Sequence, residues 1–315
     1  MVEFNGNNQA STNQGDRIMK KLIKTISLLS LAAISFSSLA SGGGVPIPND
    51  ELPSYTDQKL AVSMQKGMKI YMNNCMGCHS LAFQRYNRAA KDLEISEKLV
   101  LENLMFTGDK IGELMINNMP KETAEKWFGT APPDLSLIAR ARGTDWLYNY
   151  LRGFYKDDSR PFGVNNSVFP DVGMPHALGR LQGLQDKTDK VKGLENDIAY
   201  SLGDIASARQ KLKKGGNTGE LNDIIDEAEH VIHEKELELA ELSLNGKYFT
   251  LVTEGTLAPA EFDEAMADLV YFLDYVGEPI KRERKAMGIY VIMFLLFFTV
   301  VAYLLKKEYW KDIHK

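Results

Sequence analysis

The sequence predicts a mainly α-helical exported domain with an inserted antiparallel helical hairpin and one C-terminal transmembrane helix. Three observations predict it. The chain of 315 residues opens on a basic, then apolar, then small-residue pattern. It carries two runs of apolar residues spaced three or four apart, on either side of a glycine-rich turn. It closes on a long uncharged apolar stretch. The rest is ordinary globular composition, 44% hydrophobic and 25% charged, and the length suits one or two domains. A net charge of −5 argues against nucleic acid as a partner.

At the N-terminus, Lys20, Lys21 and Lys24 precede an apolar and hydroxyl-bearing run that ends in Ser38-Leu39-Ala40. That order is the basic, apolar and small-residue sequence of a secretory signal. The stretch before Met19 is polar and featureless and reads as an 18-residue extension. Residues 1–40 are therefore expected to be leader and signal peptide. Cleavage after Ala40 removes four basic and two acidic residues, which takes the net charge from −5 to −7.

The segment "KLAVSMQKGMKIYMNN" reads as a helix running into "CMGCH", residues 75–79, which holds both cysteines of the chain. Three chemistries use such a pair. An exported chain with only two cysteines has no disulfide framework to build, and a bridge within this pair would close a tiny strained loop. Structural zinc needs four ligands. His230 and His233 lie three apart on a predicted helix, and His314 is expected across the membrane from the cysteines. A thioredoxin-like dithiol needs its active cysteine at the opening of a helix after a strand, not at the end of a helix. Cys-x-x-Cys-His is the attachment signature of a c-type haem. Two thiols at this spacing can add to the two vinyl groups on one porphyrin edge, and His79 then reaches the iron.

The sixth iron ligand decides between electron carrier and catalyst, because a thioether closes the site and raises the potential. Eleven of the 13 methionines follow the signal peptide. Met64, Met68 and Met72 fall on one helical face and read as core packing. Met119 and Met174 sit in loop Met-Pro dipeptides, whose backbone is restricted. The apolar, turn-rich surroundings of Met174 favour it without excluding Met119. His176 is a further candidate, although a lone histidine is more often simply hydrogen-bonded.

Two helical runs flank "KKGGNTGE", residues 213–220, a plain turn signal. Val191, Leu194, Ile198, Leu202, Ile205, Ala208 and Leu212 fall three or four apart; Leu221, Ile225, Ala228, Ile232, Leu239 and Leu242 repeat the spacing but for one step of seven, from Ile232 to Leu239. This predicts a hairpin over residues 184–246 with a coiled-coil seam. The stretch holds 14 acidic and eight basic residues. Such a charge run reads as a solvated face, and it also suits steering of a basic redox partner.

Met287 to Leu305 is 19 residues without a charge, or roughly 28 Å of helix, about one hydrocarbon core. Tyr290, Tyr303, Tyr309 and Trp310 occupy interfacial positions. Four basic residues flank the span on each side, so charge bias leaves the orientation open. The signal peptide decides it by exporting residues 41–286.

In their order along the chain, these pieces resemble the cytochrome c1 family in its proteobacterial form. "NNCMGCHSLAFQRYNR" (73–88) is similar to the haem-attachment segment. "APPDLSLIARARGTDWLYNYLRGFY" (131–155) resembles the Pro-Pro-Asp-Leu-Ser segment. "RPFGVNNSVFPDVGMPHALGRLQG" (160–183) resembles the axial-methionine segment, and "TLAPAEFDEAMADLVYFLDYVGEP" (256–279) the helix that leads to the anchor. The sequence departs from the family pattern at Gly179, where many relatives carry a bulkier residue. It departs again at Trp127 and Phe128, where other branches have asparagines.

The resemblance implies a cytochrome c-type haem domain over residues 41–183 plus 247–286. The hairpin is inserted at 184–246, the anchor is 287–305 and a cytoplasmic tail is 306–315. It implies one covalent haem c held by Cys75 and Cys78, with His79 and Met174, not Met119, as axial ligands. It places Arg142 near a haem propionate, with Pro132 and Pro133 packed against the macrocycle. Taken alone, Arg142 reads equally as a helix-surface charge, and the prolines as the end of a loop.

The function implied is that of a one-electron carrier subunit of ubiquinol–cytochrome c reductase, with no substrate chemistry at its own haem. Its partners would be cytochrome b, a Rieske iron–sulfur protein and a cytochrome c acceptor. It would sit in the inner membrane by a single pass, with the haem domain in the periplasm. The alternative is a stand-alone anchored c-type cytochrome serving an oxidase or another reductase.

Overall fold

Two long helices from opposite ends of the soluble sequence cross at the centre of the molecule. The computed structural model of the chain describes residues 50–311; the expected leader and signal peptide, residues 1–40, lie outside them. Helix α1 (Asp57–Asn74) starts where the Thr56 side chain accepts a bond from Lys59 N at 3.5 Å, with Asp57 in its first turn complementing the helix dipole. Helix α10 (Pro259–Gly277) has proline at its first position and Glu261 Oε2 accepting from Ala258 N at 3.0 Å.

Both helices turn an apolar face inward: Met68, Tyr71 and Met72 from α1, and Leu269, Phe272 and Leu273 from α10. The crossing is close because Gly67 has no side chain. A Cβ there would lie 2.0 Å from Asp268 O. Beside it, Ser63 Oγ donates to the buried Asp268 Oδ1 at 2.5 Å.

Between these helices, and before the hairpin, the segments are short. In chain order they are β1 (Leu81–Arg85), α2 (Tyr86–Asp92), α3 (Glu97–Asn103), β2 (Leu114–Met115), α4 (Lys121–Phe128), α5 (Ile138–Arg142), α6 (Thr144–Arg152), β3 (Phe154–Lys156), β4 (Val164–Asn166) and α7 (Gly179–Gln182). β1 pairs with β2 and β3 with β4, each as an antiparallel two-stranded ribbon. The protein is mainly α, with these small ribbons added.

The hairpin consists of α8 (Asp189–Lys213) and α9 (Thr218–Leu244). Lys190 pairs with Glu238 and Arg209 with Glu229, which fixes the antiparallel sense. Its base departs from the expected all-helical insertion. Strand β5 (Gly183–Lys187) pairs with β6 (Phe249–Glu254), with Lys187 opposite Phe249.

The seam also differs from expectation at two positions. Leu202 is 54% exposed, and Ser201 is buried in its place. Steps of three and four must alternate to keep the seam on one line. After the step of four from Leu194 to Ile198, the next seam residue is therefore 201. On α9 the same alternation puts Lys235 in the seam. Its side chain is 23% exposed and its ammonium pairs with Glu238 at 3.0 Å, so its stem covers apolar surface while its head stays polar.

A charge cluster ties the hairpin base together and sets it against strand β3. Lys187 Nζ donates to both oxygens of Glu195 at 2.6 and 2.7 Å, Tyr248 Oη donates to the same carboxylate, and the lysine lies 4.3 Å from the Tyr155 ring centroid.

Helix α11 (Lys281–Lys311) contains the apolar run, with a window mean hydropathy of 2.5. It is long and apolar enough to cross a membrane, and none of its residues is buried against the rest of the protein. Lys281 Nζ pairs with Asp274 at 2.6 Å and Arg282 with Asp57 at 2.7 Å where it leaves the domain.

Candidate haem site

The last turn of α1 delivers Cys75 into the core, and the chain then loops back on itself. Cys78 N and His79 N both donate to Cys75 O, at 3.0 and 2.9 Å. This tight turn brings Cys75, Cys78 and His79 to one cavity of about 280 Å³. Tyr71 Oη reaches the His79 carbonyl at 2.5 Å and holds the turn against the helix.

The next segment, 80–83, is laced to the Pro-Pro-Asp-Leu-Ser segment residue by residue. Leu135 N donates to Ser80 O at 2.9 Å; Ala82 N donates to Asp134 Oδ2 at 2.7 Å; Phe83 N donates to the buried Ser136 Oγ at 3.2 Å. The lacing brings Pro133 O to 2.8 Å from His79 Nδ1. A carbonyl can only accept, so Nδ1 carries the proton and Nε2 keeps its lone pair free. Burial pulls the His79 pKa below 6.5, against the opposing pull of the Pro133 carbonyl and the Asp134 charge.

All seven residues singled out from the sequence line this cavity: Cys75, Cys78, His79, Pro132, Pro133, Arg142 and Met174. Met119 and His176 are not among its lining residues. Met174 lies on the loop between β4 and α7, packed on the small cluster of Phe154, Val164 and Val172. Its Sδ accepts a hydrogen bond from Tyr150 Oη at 3.4 Å.

The His176 ring instead stacks on Phe154, with centroids 4.8 Å apart and planes 10° from parallel. Burial pushes its pKa down to about 4. At Gly179 an added Cβ would lie 3.1 Å from His176 Cδ2, so the ring would have to shift by a few tenths of an ångström. Arg142 is exposed, with its guanidinium carbon 5.1 Å from the Trp146 ring centroid.

Several lining residues carried no role in the sequence reading. Trp146, Leu147, Tyr150 and Leu151 form one face of α6, and Leu269 and Leu273 come from α10. The spacing of Trp146 and Tyr150 by four was the available signal, since it puts both rings on one helical face. Phe128 also lines the cavity and contacts Phe162, with ring centroids 6.0 Å apart.

The competing chemistries fare poorly here. Among the described residues no group of three or more His, Cys, Asp or Glu could hold a metal. Burial, with Cys78 as a second cause, pushes the Cys75 thiol up to about 12, the opposite of an activated dithiol. The donors fit a covalent haem: two thiols in one lining, an imidazole whose Nδ1 is held by a carbonyl, a thioether, apolar walls and an exposed guanidinium.

Residues 54–200 and 246–313 match the model of the Cytochrome C1 family. The chain belongs to the cytochrome c1 family. It is 42% identical over 297 residues to a cytochrome c1 of Allochromatium vinosum, an alignment covering 94% of this chain and 100% of that protein. It is 36% identical over 292 residues to a Nitrosomonas europaea protein named as an ammonia monooxygenase gamma subunit, covering 93% of this chain and 100% of the relative. A Bradyrhizobium diazoefficiens cytochrome b/c1 is 23% identical over 273 residues, 80% of this chain and 33% of that protein. Cytochrome c1 proteins carry a covalent haem c in electron transport, and Cys75 and Cys78 fit the attachment motif. The family match skips residues 201–245, the second half of α8 and all of α9.

Proposed function

We propose that this protein is the haem subunit of ubiquinol–cytochrome c reductase, the cytochrome bc1 complex. It takes electrons from a Rieske iron–sulfur protein and passes them to a cytochrome c. The observation that carries the reading is the convergence of Cys75, Cys78, His79 and Met174 on one apolar cavity in a cytochrome c1 chain. When bound, the haem supplies reversible one-electron exchange between ferric and ferrous iron.

The chain's own residues do the rest. Cys75 and Cys78 would hold the macrocycle by thioether bonds, formed as each S–H adds across one vinyl group. His79 offers Nε2 because Pro133 O fixes the proton on Nδ1, a partner that also raises the ring's donor strength. Met174 would hold the iron through its thioether, a ligand that raises the potential and leaves no room for a substrate. Pro132 and Pro133 would pack against the ring, Arg142 would pair with a propionate, and the apolar lining would keep water out.

Helix α11 anchors the protein beside cytochrome b with the haem domain in the periplasm. The Bradyrhizobium diazoefficiens relative, whose name joins cytochrome b to c1, supports that partner.

Optical spectra of wild type and Met174→Leu test the site. Wild type should give a c-type haem with Met–iron absorbance in the oxidised protein, and the variant should lose that absorbance and bind cyanide rapidly. Unchanged spectra would remove Met174 from the account. Co-purification with a b-type cytochrome and quinol–cytochrome c reductase activity tests the complex. Recovery with ammonia-oxidising activity instead would favour the association named for the Nitrosomonas europaea relative.

A further inference from the structure

Tyr150 is held more firmly than its weak hydrogen bond requires. Its ring stacks on Trp146 at 5.0 Å between centroids and 9° between planes, and meets Phe154 edge-on at 5.5 Å. Its backbone carbonyl accepts a 2.8 Å bond from Asn166 Nδ2, which ties this end of α6 to strand β4. Thus ring and backbone are both fixed, by groups that do not involve the hydroxyl.

Tyr150 is partly buried, and a phenol O–H turned away from solvent needs a partner. Here the partner is the Met174 thioether, 3.4 Å away, although sulfur is among the weakest acceptors a protein offers. The aromatic stack, not the strength of the bond, sets this geometry.

We propose that Tyr150 is a positioning residue for Met174, orienting its sulfur and raising the reduction potential of the site. This rests on the reading of Met174 as an axial ligand. A thioether sulfur has two lone pairs. The Tyr150 hydroxyl engages one, which directs the other into the cavity. The hydroxyl proton also draws electron density from the sulfur and places a positive dipole end beside it. Both effects disfavour the extra positive charge of the ferric state relative to the ferrous state, one of the ways in which a hydrogen bond beside a ligand tunes a metal.

The test uses the full-length, haem-loaded protein in membranes or detergent, as wild type, Tyr150→Phe, Tyr148→Phe and Met174→Leu. Phenylalanine keeps the stack on Trp146 and the edge contact with Phe154, so only the hydroxyl is lost. Potentiometric titration of Tyr150→Phe should show a lower potential. The oxidised form should be favoured by about threefold to tenfold, or about 30–60 mV at 59 mV per decade for one electron. Imidazole should displace the methionine at lower concentration than in wild type. Tyr148 packs against Arg152 on the same helix, and its phenylalanine variant should match wild type in both measurements.

If Met174→Leu loses the Met–iron absorbance while Tyr150→Phe keeps the wild-type potential and imidazole titration, the inference is wrong and the ligand reading stands. If Met174→Leu leaves the absorbance unchanged, the ligand reading fails and takes the inference with it.

Discussion

Replacing Gly67 with alanine puts one methyl group into the tightest helix crossing of the protein. The new Cβ would lie 2.0 Å from Asp268 O, 2.7 Å from Asp268 C and 2.8 Å from Phe272 Cβ. Carbon atoms pack best at about 3.5–4.0 Å, so α1 and α10 must separate by roughly an ångström or more. Two of the three atoms are backbone and cannot rotate away.

Overpacking a well-filled core costs about 1–3 kcal/mol, and rigid neighbours put this site at about 3. Alanine returns about 1 kcal/mol through its better helix propensity. The net loss is about 2 kcal/mol, which for a domain of this size lowers Tm by roughly 4–8 °C. Thermal melting of the haem-loaded protein in detergent measures it. Gly193→Ala on α8 is the matched control, because nothing lies within 4 Å of its added Cβ; it should melt no lower than wild type. If Gly67→Ala melts at or above the wild-type temperature, close helix contact is not what requires glycine there.

Two further outcomes follow from other parts of the structure. Residues 188–248 can be replaced by Asn-Gly, since Lys187 and Phe249 already face each other across an antiparallel pair and that dipeptide favours a two-residue hairpin turn. The shortened protein should keep its haem spectrum, because the hairpin supplies no residue to the main core cluster; failure to load haem would contradict this. The salt dependence of cytochrome c reduction should also stay the same, as befits a solvated acidic face, and a flatter slope would assign that face to partner steering.

Acid stability should depend on His176. Its folded pKa of about 4 lies below the ordinary 6.5, so the unfolded chain takes up the proton first. Stability is unaffected above pH 6.5 and falls as pH drops toward 4, by about 3 kcal/mol at pH 4. His176→Gln should flatten denaturant midpoints over that range, and an unchanged slope would show that His176 does not cause the loss.

The features that could be read from the sequence were those carried by local spacing. The CMGCH motif, the helix before it, the loop methionine ahead of Pro175, both hairpin arms and the apolar span each occupy one contiguous stretch. What escaped was non-local or depended on side-chain direction. Strand β5 pairs with a partner about sixty residues away; the Phe249–Glu254 run is rich in β-branched residues, but nothing in either strand names its mate. Leu202 looked like a seam residue because it is apolar, whereas strict alternation of threes and fours selects Ser201. Pro133 and His79 are 54 residues apart, and Tyr150 and Met174 are 24 apart. Composition alone does not say that those atoms meet.

The ribbon at the foot of the hairpin also bears on how the chain comes together. Ser63 and Asp268, which meet at the central crossing, are 205 residues apart in sequence. Closing so long a segment is a slow entropic step for a flexible chain. The arms of 25 and 27 residues contact mainly each other across a four-residue turn. They can therefore zip locally, without waiting for the rest. Once zipped, they hold β5 and β6 side by side, and α10 begins five residues after β6 ends. The insertion thus sets the start of α10 close to β5 in space, although the two lie more than seventy residues apart in sequence.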